Sequence, residues 1–119
     1  MKLAFVLATI LLGACGGTYP VPTQRLADAQ GAYRSAQELG ADKDPQAQLH
    51  LKLAEEEIAK GNADLKKEDN RSADFVLIRA KADAELALAL AREQKCKVEA
   101  EDARAKLNAQ NALNSKGTR

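Results

Sequence analysis

From Thr23 onward, apolar residues recur along this chain at spacings of three and four, the signature of amphipathic helices. Leu26, Ala29, Tyr33 and Ala36 line one face of a first helix, with Gly40 placed just past its end as a C-cap. Asp44-Pro45 then supplies an N-cap followed by proline at the first helical position. The second helix carries Ala47, Leu51, Ala54, Ile58, Gly61 and Leu65, an unbroken heptad seam. Gly61 within that seam costs about 1 kcal/mol of helix propensity relative to Ala. Either a partner backbone approaches there, or the helix frays before Lys66-Lys67-Glu68-Asp69-Asn70.

A third segment, from about Arg71 to Leu113, contains no breaker and would be roughly 65 Å long at the helical rise. Its first half alternates apolar and polar residues as a strand would. The alternating residue is mostly alanine, however, the best helix former and a poor strand residue. Arg79–Asp83 and Lys81–Glu85 are also opposite charges four residues apart, as helices favour. Around a helix, Leu77, Ala80, Ala84, Ala87 and Ala91 fall on one side, while Phe75, Ile78, Ala82, Leu86 and Ala89 fall on the other. A helix apolar on two opposed faces is expected to be sandwiched. The second helix would cover one face, and the first helix or a second copy of the chain the other. Beyond Ala91 only Cys96, Ala100, Ala103 and Leu107 continue the Phe75 stripe, so this part projects into solvent or meets another chain. The fold class is all-α: an antiparallel helical hairpin or three-helix bundle with a long C-terminal helix. The helical domain spans 23–113, and 114–119 form a disordered tail.

The N-terminus has a different pattern. Leu3 to Leu12 is an apolar run of ten, too short for the roughly 20 residues a bilayer span needs. With Lys2 before it and Gly13-Ala14 after it, residues 1–14 read as a secretory signal peptide, and a buried helix is the plainer alternative. Leu12-Gly13-Ala14-Cys15 resembles the lipobox of bacterial lipoproteins, where signal peptidase II cuts before the cysteine. That resemblance implies that Cys15 becomes the mature N-terminus and carries a diacylglycerol and a further acyl chain such as palmitate. One acyl chain holds only marginally, at about 0.8 kcal/mol per buried methylene, so several make a lasting anchor. Gly16-Gly17-Thr18-Tyr19-Pro20-Val21-Pro22 is too rich in breakers for helix or central strand, so 15–22 read as the lipidated cysteine and a flexible tether. An aspartate after the lipidated cysteine retains enteric lipoproteins in the inner membrane. Gly16 stands there instead, which points to the outer membrane, facing the periplasm.

Composition narrows the functional classes. Aromatic residues are only 3% of the 119, so the helices meet through thin alanine seams rather than a thick core. Eighteen basic residues face seventeen acidic ones, and loss of the signal would remove only Lys2 from that balance. Such a chain has no electrostatic footprint for nucleic acid. Cys96 is the cysteine left once Cys15 is acylated; it reads as an apolar seam residue, or as an intermolecular disulfide in an oxidising compartment. His50 lies off the Leu51 seam as a solvated histidine, and one histidine cannot build a four-ligand zinc site. Glu55, Glu56 and Glu57 splay around a helix instead of converging on one substrate atom. Tyr33 reads as packing. No catalytic residue, metal site, cofactor or small-molecule substrate is expected, and the chain is read as no enzyme.

The stretch from Leu39 to Ala91 is similar to a family of small bacterial envelope lipoproteins, the domain-of-unknown-function family 4398. It shares Gly40-Ala41, a proline helix start at Asp44-Pro45, and Asp83-Ala84-Glu85-Leu86-Ala87. It departs at the turn, where Glu68-Asp69-Asn70 replaces the usual Gly-Asp. The resemblance covers roughly residues 27 to 100. It implies an antiparallel helical fold and no established activity. The expected role is a lipid-anchored, non-catalytic interaction module that offers a candidate face of Phe75, Ile78, Leu86 and Cys96 to an envelope protein or to itself. The alternative is a structural spacer that oligomerises through its alanine-rich long helix.

Overall fold

The computed structural model describes residues 18–117, and within them every regular element is helical. Helix α1 spans Thr23–Glu38, a single 3₁₀ turn spans Ala41–Lys43, α2 spans Pro45–Lys66 and α3 spans Asn70–Gly117. No helix among the described residues is long and apolar enough to cross a membrane.

The chain punctuation acts as its chemistry dictates. Gly40 adopts φ 86°, the left-handed conformation that ends α1, and its N–H donates to the Gln37 carbonyl at 2.9 Å. The Asp44 side chain accepts from the backbone N–H groups of Gln46 and Ala47 at 3.0 and 2.8 Å, with Pro45 at the first position of α2. At the far end of α2 the N–H of Glu68 reaches the Leu65 carbonyl and that of Asp69 reaches Asp64, both at 3.0 Å. These two bonds form a Schellman motif. Its left-handed position, usually glycine, is held by Glu68 at φ 61°. Asp69 then caps α3, its carboxylate accepting from the Ser72 N–H at 3.1 Å.

Three helices run up, down and up. The α2–α3 pair is antiparallel, since His50 meets Asp83, Glu57 meets Arg79 and Asp64 meets Ser72. Helix α1 runs parallel to α3, as Arg25 meets Asp74 and Asp28 meets Lys81. The three-helix alternative of the expected fold class is therefore the one formed. On α3 the buried positions are Ala73, Val76, Leu77, Ala80, Ala84, Ala87 and Ala91, the expected alanine face extended by one turn towards the N-terminus. Against it lie Ala47, Leu51, Ala54 and Gly61 of α2 and Ala29 and Ala36 of α1. Tyr33 and Leu39 close the end near the 3₁₀ turn.

Leu77 is the one large side chain fully buried in this seam. It fits because Gly61 has no side chain: a Cβ there would lie 2.7 Å from Leu77 Cδ2 and 2.8 Å from Cγ. So α2 does not fray at Gly61, and what approaches it is a partner side chain rather than a partner backbone. The other departure is length. Without proline or an internal glycine to stop it, α3 runs to Gly117 instead of ending at Leu113, and Ser115 Oγ donates to the Ala112 carbonyl at 2.9 Å.

Two substitutions test this account. Gly61→Ala gains up to about 1 kcal/mol of helix propensity but overpacks Leu77 at a cost of about 1–3 kcal/mol, so the urea midpoint should fall. In a Leu77→Ala background the same change should become stabilising. Glu68→Gly should raise stability by about 1 kcal/mol, because it relieves the left-handed backbone.

Candidate interaction face and the Tyr19 clasp

The candidate face on α3 lies on the side that both other helices leave open. Phe75 is 57% exposed, Ile78 39% and Leu86 42%, all well above the buried alanines. Helix α1 does not cover this side, contrary to the sandwich arrangement within one chain. Its ion pairs, Arg25–Asp74 at 3.3 Å and Asp28–Lys81 at 3.7 Å, hold it to a flank of the alanine face instead. The two-sided apolar pattern of α3 is thus filled on one side only. Cys96 is an exposed free thiol on the part of α3 beyond the bundle, so no seam within the chain receives it. Residues 92 to 116 are exposed throughout. Leu12, Gly13 and Ala14, the expected signal peptidase recognition residues, and Cys15, the expected lipidation site, lie outside the described residues.

His50 differs from its expected solvated state. It is half-buried between α2 and α3, with Nδ1 2.7 Å from Asp83 Oδ1. Two helical turns further along α2, Glu57 meets Arg79 Nε at 3.3 Å while its Oε2 is buried without a partner. Burial raises the Glu57 carboxyl above its ordinary value near 4.5; Arg79 opposes that shift and the nearby Asp83 adds to it. The three consecutive glutamates do splay. Glu57 turns to α3, Glu56 pairs with Lys52 at 3.9 Å, and Glu55 sits beside the Tyr33 phenol. Burial, and then Glu55, raise the Tyr33 phenol, whose oxygen accepts from Gln37 Nε2 at 3.0 Å. Among the described residues no group of three or more His, Cys, Asp and Glu side chains could hold a metal ion.

The strongest polar cluster is one that residue spacing did not reveal. The Tyr19 hydroxyl donates to Asp74 Oδ2 at 2.8 Å, Arg25 Nε donates to Asp74 Oδ1 at 3.3 Å, and Asn70 Nδ2 donates to the Tyr19 carbonyl at 3.0 Å. The Asp74 side chain is only 14% exposed, so α1, α3 and the segment before α1 close over it. The hydrogen bond to Asp74 raises the Tyr19 phenol, since ionisation would set two anions side by side. Pro22 is buried behind this clasp. No sequence signal links Tyr19 to a residue 55 positions away.

These features define a class: an all-α bundle whose ionisable groups brace helices against one another and whose free apolar face runs along its longest helix. The chain belongs to the family described as Domain of unknown function (DUF4398), which matches residues 24–103 and so takes in all three helices of the bundle. No curated protein and no solved structure matches the chain.

The Glu57 environment yields a pH dependence of definite sign. Folding raises the Glu57 pKa, so its stabilising contribution is complete below the unfolded value and is lost as pH rises through the folded one. Glu57→Gln should therefore flatten the stability difference between about pH 5 and about pH 7, measured by urea unfolding against the unaltered chain.

Proposed function

We propose that this chain is a lipid-anchored lipoprotein of the bacterial cell envelope, acting as a non-catalytic helical interaction module in the periplasm. Cys15, set behind Leu12-Gly13-Ala14, carries the acyl chains, and the outer membrane receives them because Gly16 does not supply an inner-membrane retention residue. Phe75, Ile78 and Leu86 form the working face, and Cys96 extends it. The single observation that carries the interaction role is that uncovered apolar stripe beside a fully occupied alanine seam. A soluble bundle gains nothing by exposing Phe75 and Leu86 unless something else covers them. The occupant is an envelope protein or a second copy of the chain.

The spacer alternative draws less support. Ala80, Ala84, Ala87 and Ala91, the alanines a zipper would use, are already buried by α1 and α2. The breaks at Gly40 and Glu68 also divide the chain into a folded unit rather than one continuous rod.

The anchor is tested by mass spectrometry of protein taken from its native membrane. The expected N-terminal peptide begins at Cys15 and carries the mass of a diacylglycerol plus an acyl chain; Cys15→Ser should leave the full precursor and deplete the membrane fraction. A bare Cys15 thiol with Lys2 still attached would overturn the proposal. For the face, a photo-crosslinking residue at Ile78 should give discrete adducts in cells, whereas one at Lys52, exposed on α2, should not.

A further inference from the structure

The end of the bundle that carries Tyr19 also carries the turn between α2 and α3, and the length of chain between that end and Cys15 is very small. Only Gly16, Gly17 and Thr18 separate Cys15 from Tyr19, so even a fully extended chain spans at most about 14 Å there. From Tyr19 onward the path is tied down: Asp74 and Asn70 of α3 hold Tyr19, Pro22 is buried, and the Thr23 and Leu26 N–H groups bond back to the Val21 and Pro22 carbonyls at 2.9 and 3.1 Å.

Resting on the reading of Cys15 as the lipid anchor, we propose that the Tyr19–Asp74–Arg25 clasp sets the polarity of the body on the bilayer. The bundle end formed by Tyr19, Val21 and the turn at Lys66 to Arg71 is the lipid-facing surface, and α3 leads away from it. The chemistry of that end suits a lipid headgroup layer. Val21 is 56% exposed and Tyr19 41%, while Lys66, Lys67 and Arg71 outnumber Glu68 and Asp69 among exposed side chains of the turn. An amphipathic aromatic and a small excess of basic groups both favour a position at headgroup level.

The other end of α3 has the opposite character. Past Ala91 it is dominated by exposed charged residues, including Arg92, Glu93, Lys95, Lys97 and Glu99, and the Phe75 stripe narrows there to Cys96, Ala100, Ala103 and Leu107. Starting at Asn70 and rising along a single unbroken helix, α3 reaches roughly 70 Å from the anchored end. Phe75 sits about 8 Å along that axis, Leu86 about 24 Å and Cys96 about 39 Å. The partner of the working face is thus a protein whose own docking site stands within a few tens of ångströms of the same bilayer.

The experiment uses the natural lipidated chain, with Cys96→Ala, in vesicles of phosphatidylethanolamine and phosphatidylglycerol. A donor dye is placed through Lys67→Cys or Ser115→Cys, and an acceptor lipid lies in the bilayer. Transfer should be several-fold stronger from residue 67 than from residue 115, and the difference should shrink in Asp74→Ala and, less severely, in Tyr19→Phe, with circular dichroism confirming that both stay helical. Equally strong transfer from residue 115 in the unaltered chain would mean that the body lies flat on its Phe75 side, and would overturn the proposal. An unchanged difference in both clasp variants would overturn it too, leaving the lipid alone in control. A chain that does not float with the vesicles removes the anchor and the orientation together. The clasp is then read separately in a Cys15→Ser, Cys96→Ala chain, through dipolar broadening between nitroxides at Thr18→Cys and Glu68→Cys, which line one cleft and should separate on Asp74→Ala.

Discussion

The bundle depends on one close approach, that of α2 to α3 where Leu77 occupies the space left by Gly61. Alanine seams bury little area per residue, so their cohesion comes from backbones lying near one another and from dispersion between many small groups. A single larger side chain in such a seam has to have its volume accommodated opposite, and Gly61 does this. The register of the pair follows from that fit. With Leu77 set against Gly61, Asp83 falls beside His50, Arg79 beside Glu57 and Ser72 beside Asp64. These polar contacts flank the seam and would be lost together if the helices slid by a turn.

Much of this arrangement is legible in the order of residues, for physical reasons that differ from element to element. Helix ends are local: Asp44-Pro45 and Gly40 act through their own backbone geometry, which no distant contact needs to supply. The heptad seam of α2 and the alanine face of α3 are legible because burial follows a fixed angular period. The sharing of an α-helix between two partners is not. Periodicity shows that α3 has two apolar sides, but α1 found its place through Asp28 and Arg25, charged groups whose partners lie some fifty residues away. His50 departs from its expected solvated state for a related reason. A polar residue just off a seam looks solvated until the opposing helix presents a carboxylate to it.

The uncovered stripe and the clasp at Asp74 share this non-local character, yet they have opposite consequences. Asp74 is a charge that the fold encloses and satisfies with a hydroxyl and a guanidinium. Phe75, its immediate neighbour, points to the other side and is left exposed. Adjacent residues on one helix turn thus join the segment before α1 to the body and present the body to its surroundings. The closeness of the two sets the start of the exposed apolar stripe at the end of the bundle where the chain enters α1.

Beyond Ala91 the long helix no longer rests on tertiary packing, and what remains is its own hydrogen-bonded ladder with pairs such as Lys97–Glu93 at 2.6 Å and Lys95–Glu99 at 3.9 Å. A free peptide of that length would be only marginally helical, because nucleating the first turn is costly. Here the bundle provides the nucleus, and each further turn adds at the low cost of propagation. The outer half of α3 therefore grows from a root already formed, so turns that fray at its tip re-form without a fresh nucleation step.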